Sequence, residues 1–375
     1  MKKLICFILV LSMIICFSYT ANANTLISGV IGGNILSYAV SDEIVDFAES
    51  EIHAHLNSFL RDGLMAGTKY DYALGEAFTV HNAAINSYNF CFPVIKAREI
   101  IGILEVSRVD NELISIFSTS FSTEITNLLV TNRNKSYILL TDGICLQAFD
   151  GVLCKTIYTL YEIDAEPVNL SSTISNDFIY PTVSVSYTRI STAKYAIISV
   201  SDYVTLVNDG PLSYKTLNIA AVPQNGPTCW AATCAAIINY YKGTSLTCLS
   251  VAQYIYPDDP QHGGTWTDIR NAYNHWGLSP TKTDGKISFT NVKTNIKLGN
   301  PLNLLIRGTN SEGNSRGHSV ALIGYEDYSN TTGKKIIFIL EPNGGVRKSI
   351  TLNSSGNFTY VLGGTNFSWS KTITF

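Results

Sequence analysis

Residues 224–243 dictate one piece of local structure before any other. Gln224-Asn225-Gly226-Pro227-Thr228 is a turn, because proline fixes φ and withholds a donor while glycine takes conformations that other residues avoid. From Cys229 onward Trp230, Cys234, Ile237, Ile238 and Tyr241 recur at helical spacing, an apolar stripe that Gly243 stops. The spacing predicts a helix over Cys229 to Tyr241 whose first residue is a cysteine. At a helix start the free N–H groups and the positive end of the dipole stabilise a thiolate, so this cysteine is placed as a nucleophile. Cys234 falls on the stripe itself and reads as core, and Cys248 reads as a loop or strand residue.

A nucleophilic cysteine needs a base. The C-terminal half offers His262, His275 and His318. His275, between Asn274 and Trp276 near a helix end, suits a surface or capping role. His262, before Gly263-Gly264, sits in a loop able to line a cleft, with the glycines letting a substrate backbone come close. His318 follows Gly317 and opens a strand of small and branched residues, a place for an imidazole facing a cleft. The strands expected at His318 to Tyr325 and Lys335 to Leu340 form a hairpin about the polar turn Ser329 to Gly333. Pairing His318 with Glu341, or with Asn343, is equally compatible with that turn. Alternation then sends Pro342 away from both. Either side chain could accept the imidazole N–H and fix its tautomer. Gln224, one short turn before Cys229, could donate to a developing oxyanion together with the Cys229 N–H.

The rest of the chain sets the context. Met1-Lys2-Lys3, the apolar run Leu4 to Phe17 and Ala21-Asn22-Ala23 form a cleavable export signal over residues 1–23. The roughly 350 residues beyond it exceed one ordinary core, so two domains are expected, 24–208 and 209–375, with the turn-prone Asn208 to Tyr214 between them. A net charge of −3 without any Lys/Arg run gives no reason to expect nucleic acid or an anionic membrane as a partner. Only 15% of residues are charged, and Tyr, Ser, Thr, Ile and Val are plentiful, which points to abundant sheet. In the N-terminal half, a helix from Asp42 to Phe59 capped by Ser41, a hairpin of Ile100 to Val106 and Leu113 to Ser118 about Asp110-Asn111, a helix over Ser120 to Val130 and a half-buried strand over Thr182 to Arg189 make an α+β unit without a catalytic constellation. In the C-terminal half, further helices are expected at Ser250 to Ile255 and Thr267 to Trp276, and a strand at Leu302 to Arg307. Of the six cysteines left after export, Cys145 and Cys154 flank the Asp150-Gly151 turn and are the most plausible local disulfide pair. No CxxC or His-rich spacing suggests a zinc site, and no cofactor is expected.

Gln224-x4-Cys229-Trp230 opening a helix, Gly317-His318 opening a strand, and a polar residue before Pro342 together resemble the papain-like cysteine peptidases, especially secreted bacterial ones such as staphopains and the peptidase C39-like families. The resemblance covers about the last 160 residues. It implies an α+β, papain-like catalytic domain in which a helical part bears the cysteine and an antiparallel sheet bears the histidine. It further implies that Gln224 is the oxyanion donor, Cys229 the nucleophile and His318 the general base, acting on a protein or peptide. Where those families place an Asn or Asp as third member, this chain has Glu341, favoured by position, with Asn343 two residues on. The N-terminal half resembles a staphopain-type propeptide, which implies a separate α+β prodomain that acts as the peptidase's own inhibitor until removed. Two other functions are compatible with these residues: a transglutaminase-like acyltransferase using the same triad, and a secreted binding protein whose site has decayed.

Overall fold

The computed structural model describes residues 34–37, 40–82, 87–97, 99–131, 135–141, 145–159, 184–185, 210–309, 315–362 and 365–375. The export signal expected at residues 1–23, most of the strand expected at Thr182 to Arg189 and the start of the expected Asn208 to Tyr214 boundary lie outside the described residues. Among the described residues no helix is long and apolar enough to cross a membrane.

After a short strand at Asn34–Leu36, the N-terminal half continues with helix α1 (Asp42–Arg61), two residues longer than the pattern suggests. Ser41 stands at its N-cap, yet its side chain makes no capping bond. Strands β1 (Phe78–Asn82), β2 (Ser87–Lys96), β3 (Glu99–Val109) and β4 (Glu112–Ser118) follow. Asp110 and Asn111 join β3 to β4 with φ of 50° and 65°, the left-handed pair a two-residue hairpin requires and that Asp and Asn tolerate best. Helix α2 (Ser122–Thr131) and strands β5 (Ser136–Thr141), β6 (Cys145–Phe149) and β7 (Cys154–Thr159) complete this half. Cys145 lies opposite Thr159 and Cys154 opposite Phe149, at opposite ends of the β6–β7 ladder, so the anticipated disulfide does not form. No disulfide forms among the described residues.

The C-terminal half starts with β8 (Ser213–Thr216), so part of the presumed linker is already a strand, paired with residues 324–327. Helices α3 (Cys229–Lys242), α4 (Cys248–Ile255), α5 (Trp266–His275) and α6 (Phe289–Leu298) come next. Then come β9 (Leu302–Thr309), β10 (Ser315–Asp327), β11 (Lys335–Glu341), β12 (Val346–Leu352) and β13 (Thr365–Thr374). Strands β13, β9, β10, β11 and β12 are hydrogen-bonded antiparallel in that order. The helix α3 is buried over every residue from Cys229 to Ile238, not along one stripe. Ala231, Ala232, Ala235 and Ala236 line it, and such small side chains let its backbone approach the sheet closely.

The two halves share one sheet. Strand β12 pairs antiparallel with β4, with Lys348 opposite Ser118, Ser349 opposite Phe117 and Ile350 opposite Ile116. A buried polar cluster reinforces this seam from α1. The Glu51 carboxylate accepts from the hydroxyls of Ser115 (3.0 Å) and Thr351 (2.9 Å) and pairs with Lys334 (2.6 Å). His55 bridges Ser115 (2.9 Å) and Ser349 (2.7 Å). Because the Ser115 hydroxyl is committed to Glu51, it accepts from His55 Nε2–H. Burial, partly countered by Glu51 and helped by Lys334, pushes His55 down to about 4.

Candidate active site

Cys229 is the first residue of α3, 9% exposed, and Thr228 precedes it at the N-cap. The Thr228 hydroxyl does not cap the helix. It donates to the Asn225 carbonyl (2.8 Å) and accepts from the Asn225 N–H (3.0 Å), closing the turn that Gly226, at φ 62°, makes possible. The turn is therefore rigid, and the first N–H groups of α3 are left to act on the cysteine.

His318 lies on β10, 2% exposed, and Glu341 ends β11, 1% exposed. Glu341 Oε1 is 2.9 Å from His318 Nε2 and also accepts the Asn343 N–H (2.8 Å). With Nε2 committed to the carboxylate, Nδ1 is the nitrogen available to the sulfur. Burial alone would lower His318, but the charge of Glu341, then the charge and hydrogen bonding of Cys229, raise it to about 10. Burial likewise pushes Glu341 up, yet the His318 imidazolium, Lys348 and the Asn343 N–H hold it below the usual carboxylate range. The pair thus favours an imidazolium at His318 beside the Glu341 carboxylate.

Asn343 does not orient the histidine. Pro342 turns the chain into a short 3-10 segment, Asn343–Gly345, which carries the Asn343 amide off the ladder to the Tyr158 hydroxyl of β7, 3.5 Å away. The hairpin register explains why Glu341 takes the role. Ladder pairs run from Asp327 opposite Lys335 to Gly324 opposite Phe338, then shift at Ile323, after which Ala321 lies opposite Leu340. This bulge puts Glu341 across from Val320, on the same face as His318 and diagonal to it, within reach of a long side chain.

Gln224 is drawn to the same place by its backbone, whose N–H donates to the Pro342 carbonyl (2.8 Å). Its side-chain Nε2 donates to the Gly226 carbonyl (3.1 Å), which leaves one N–H of the amide free for another acceptor. The loop before the cysteine and the turn after Glu341 are therefore physically joined. A second brace was not anticipated from the sequence. Thr233, one turn into α3, donates to the Ser319 carbonyl (2.9 Å) beside His318. The Ser319 hydroxyl donates to Asn303 (2.9 Å), whose amide donates to the Tyr273 hydroxyl (3.0 Å). The recurrence of Thr233 one turn beyond Cys229 was the only sequence signal for it.

The other two histidines lie apart from this group. His275 ends α5 and stacks on Tyr254 with ring centroids 3.7 Å apart. His262 packs its ring on Tyr256 (4.6 Å), and its carbonyl accepts Trp230 Nε1–H (2.9 Å). At Gly264 an added Cβ would lie 2.3 Å from the Trp230 ring, so that glycine makes room for the indole. Cys234 is fully buried core, and Cys248 begins α4 and is also buried.

Residues 216–361 match the model of the Peptidase_C39 like family. Solved structures with some likeness include a crystal structure described as a C39-like peptidase from Bacillus anthracis. It is 16% identical, covers 42% of this chain and 97% of its own, and has a TM-score of 0.28. UfSP from C. elegans is 10% identical over 92% of this chain and 76% of its own, with a TM-score of 0.26. No curated protein matches the chain significantly. Over residues 216–361, where a cysteine-bearing helix packs on a histidine-bearing antiparallel sheet, the chain is similar to the peptidase C39-like family, and this match supports a cysteine peptidase.

Proposed function

We propose that the chain is an exported cysteine endopeptidase made as an inactive precursor. The observation that carries this reading is His318 held between the Glu341 carboxylate and the Cys229 thiol. The Cys229 thiolate attacks a peptide carbonyl, and the oxyanion takes hydrogen bonds from the Cys229 N–H and from the free amide N–H of Gln224. His318 passes its proton to the leaving amine as the C–N bond breaks. It then takes a proton from water, which attacks the acyl-enzyme and restores the thiolate. Glu341 keeps the imidazole in one tautomer and orientation throughout. Two contacts support the N-terminal half, residues 24–208, as inhibitor: its strand β4 on β12, and Tyr158 against Asn343 beside the site. Export rests on the sequence of residues 1–23 alone.

Cys229→Ala in the purified full-length protein tests the reading. Peptide-bond cleavage in an unfolded protein substrate, and processing of the chain itself, should both disappear. Persistence of either at the wild-type rate would sink it. If the wild type instead accumulates a conjugate with an added primary amine, the acyl group is transferred and not hydrolysed.

A further inference from the structure

Lysine is rarely buried unless its charge is matched, and Lys348, 3% exposed, lies in the middle of the seam between the two halves. Its backbone pairs with Ile339 on one side and Ser118 on the other. Alternation along β12 puts Val346, Lys348 and Ile350 on one face. Glu341 is opposite Val346 on that face, so it is diagonal to Lys348 across a single strand gap. Glu105 is on the same face in the N-terminal half: it pairs with Ile116, and Ile116 pairs with Ile350. The lysine therefore stands between two buried carboxylates, one belonging to the candidate catalytic group and one to the half that covers β12. We propose that Lys348 is a positioning residue for the Cys229–His318–Glu341 group, a buried ammonium shared by Glu341 and by Glu105 of the N-terminal half, through which the docked half adjusts how readily the site ionises.

Electrostatics agree with that placement. Lys348 lowers Glu341, and it partly counters the burial that raises Glu105. The other titratable groups here are His318, Cys229, Cys91, which burial and then Glu105 push well up, and Tyr158. Burial, with Glu341 and Glu124, pushes Tyr158 up to about 12, so it stays neutral. The sign of the coupling follows. A cation beside the site favours every group that becomes negative, so without Lys348 both Glu341 and the Cys229 thiolate form at higher pH. Ionised Glu105 opposes the lysine, so its removal acts in the other direction.

The inference rests on the proposed catalytic reading, and one experiment separates the two. In the full-length protein, Cys229 alkylation by iodoacetamide is followed peptide by peptide with mass spectrometry from about pH 4 to about pH 10. Wild-type Cys229 should react along an acid limb well below the ordinary thiol value of about 8.5. K348M should move that limb up by about half to one pH unit, a three- to tenfold slower rate at fixed pH on the limb. K348R should restore it, and E105Q should move it down. A lysine that only fills space would give no opposite shifts in K348M and E105Q. Limbs in those two variants within about 0.2 pH unit of wild type, or shifted in the same direction, overturn the inference while leaving the catalytic reading intact. Should K348M fail to fold by circular dichroism, E105Q decides: an unmoved limb overturns the proposal. A wild-type Cys229 that titrates as an ordinary thiol sinks the catalytic reading itself, and the inference with it.

Discussion

Glu341→Gln removes one charge and almost no volume, which makes it the sharpest probe of the site. Burial alone would pull His318 below its ordinary value, and Glu341 is the largest of the influences that oppose this. The rise from 6.5 to about 10 corresponds to about 5 kcal/mol at 1.36 kcal/mol per pH unit. If Glu341 supplies less than half of that, its neutralisation still removes about 2 kcal/mol, or roughly a 30-fold weaker hold of His318 on its proton. Its second carboxylate oxygen is buried without a hydrogen-bond partner among the described residues, so the added amide hydrogens gain nothing in compensation. Expected in the variant are an alkaline limb lowered by about 1.5 pH units and, because the imidazole loses the acceptor that orients it, a kcat/KM near neutral pH lower by roughly 10²-fold. The assay is hydrolysis of a quenched fluorogenic peptide across pH, with folding checked by circular dichroism. Asn343→Ala is the control, because its backbone N–H to Glu341 survives and its amide serves Tyr158. An unmoved alkaline limb in Glu341→Gln, with kcat/KM within about threefold of wild type, would refute the assignment of Glu341 as the partner of His318.

Three further outcomes are expected. Thr233→Val keeps shape but deletes the buried bond to the Ser319 carbonyl; it should cost about 1–2 kcal/mol in denaturant unfolding and lower kcat, and an unchanged midpoint would refute the brace. Gly264→Ala forces the Trp230 indole or its loop to move and should lower kcat/KM by about tenfold, whereas Gly263→Ala, with open space at its Cβ, should leave the rate unchanged. His55 is held neutral, so it binds fewer protons folded than unfolded; the stability it protects is present above 6.5 and is lost as pH falls toward 4. Relative to His55→Gln, the wild type should therefore lose about 3 kcal/mol of unfolding free energy between those pH values, and parallel pH profiles for the two proteins would refute the neutral assignment.

The parts of the site readable from the sequence were those with local causes. The Gly226-Pro227 turn, the cysteine after it and the Gly243 stop declare α3 without help from distant residues, and the structure ends that helix at Lys242 with Gly243 left-handed. The Asp110-Asn111 hairpin is similar, because two adjacent residues that tolerate positive φ leave few alternatives. His318 and Glu341 were identified as candidates by strand alternation, but the choice between Glu341 and Asn343 depended on a bulge that no residue type announces. Helix α6 did leave a signal: Ser288 caps it, Val292 and Ile296 are its buried side, and Gly299 ends it. The seam left none. Val346 to Leu352 alternates like any half-buried strand, and nothing within it reveals that β4, more than two hundred residues earlier, supplies its other edge. The cluster of Glu51, His55, Ser115, Ser349 and Thr351 was equally unreadable, because each member looks like an ordinary surface polar residue until the fold buries it.

The one-residue bulge at Ile323 has an effect out of proportion to its size. Had the ladder kept the pairing seen beside the 329–333 turn, Glu341 would face Ala321 and point to the opposite surface from His318. The irregularity thus acts as a parity switch, and it makes the turn itself a spacer. Loops of different length could close the hairpin without disturbing the acid–imidazole pair. Pairing Ile323 with Ile339 in an unbroken ladder would keep both strands in place while aiming the carboxylate at the wrong side of the sheet.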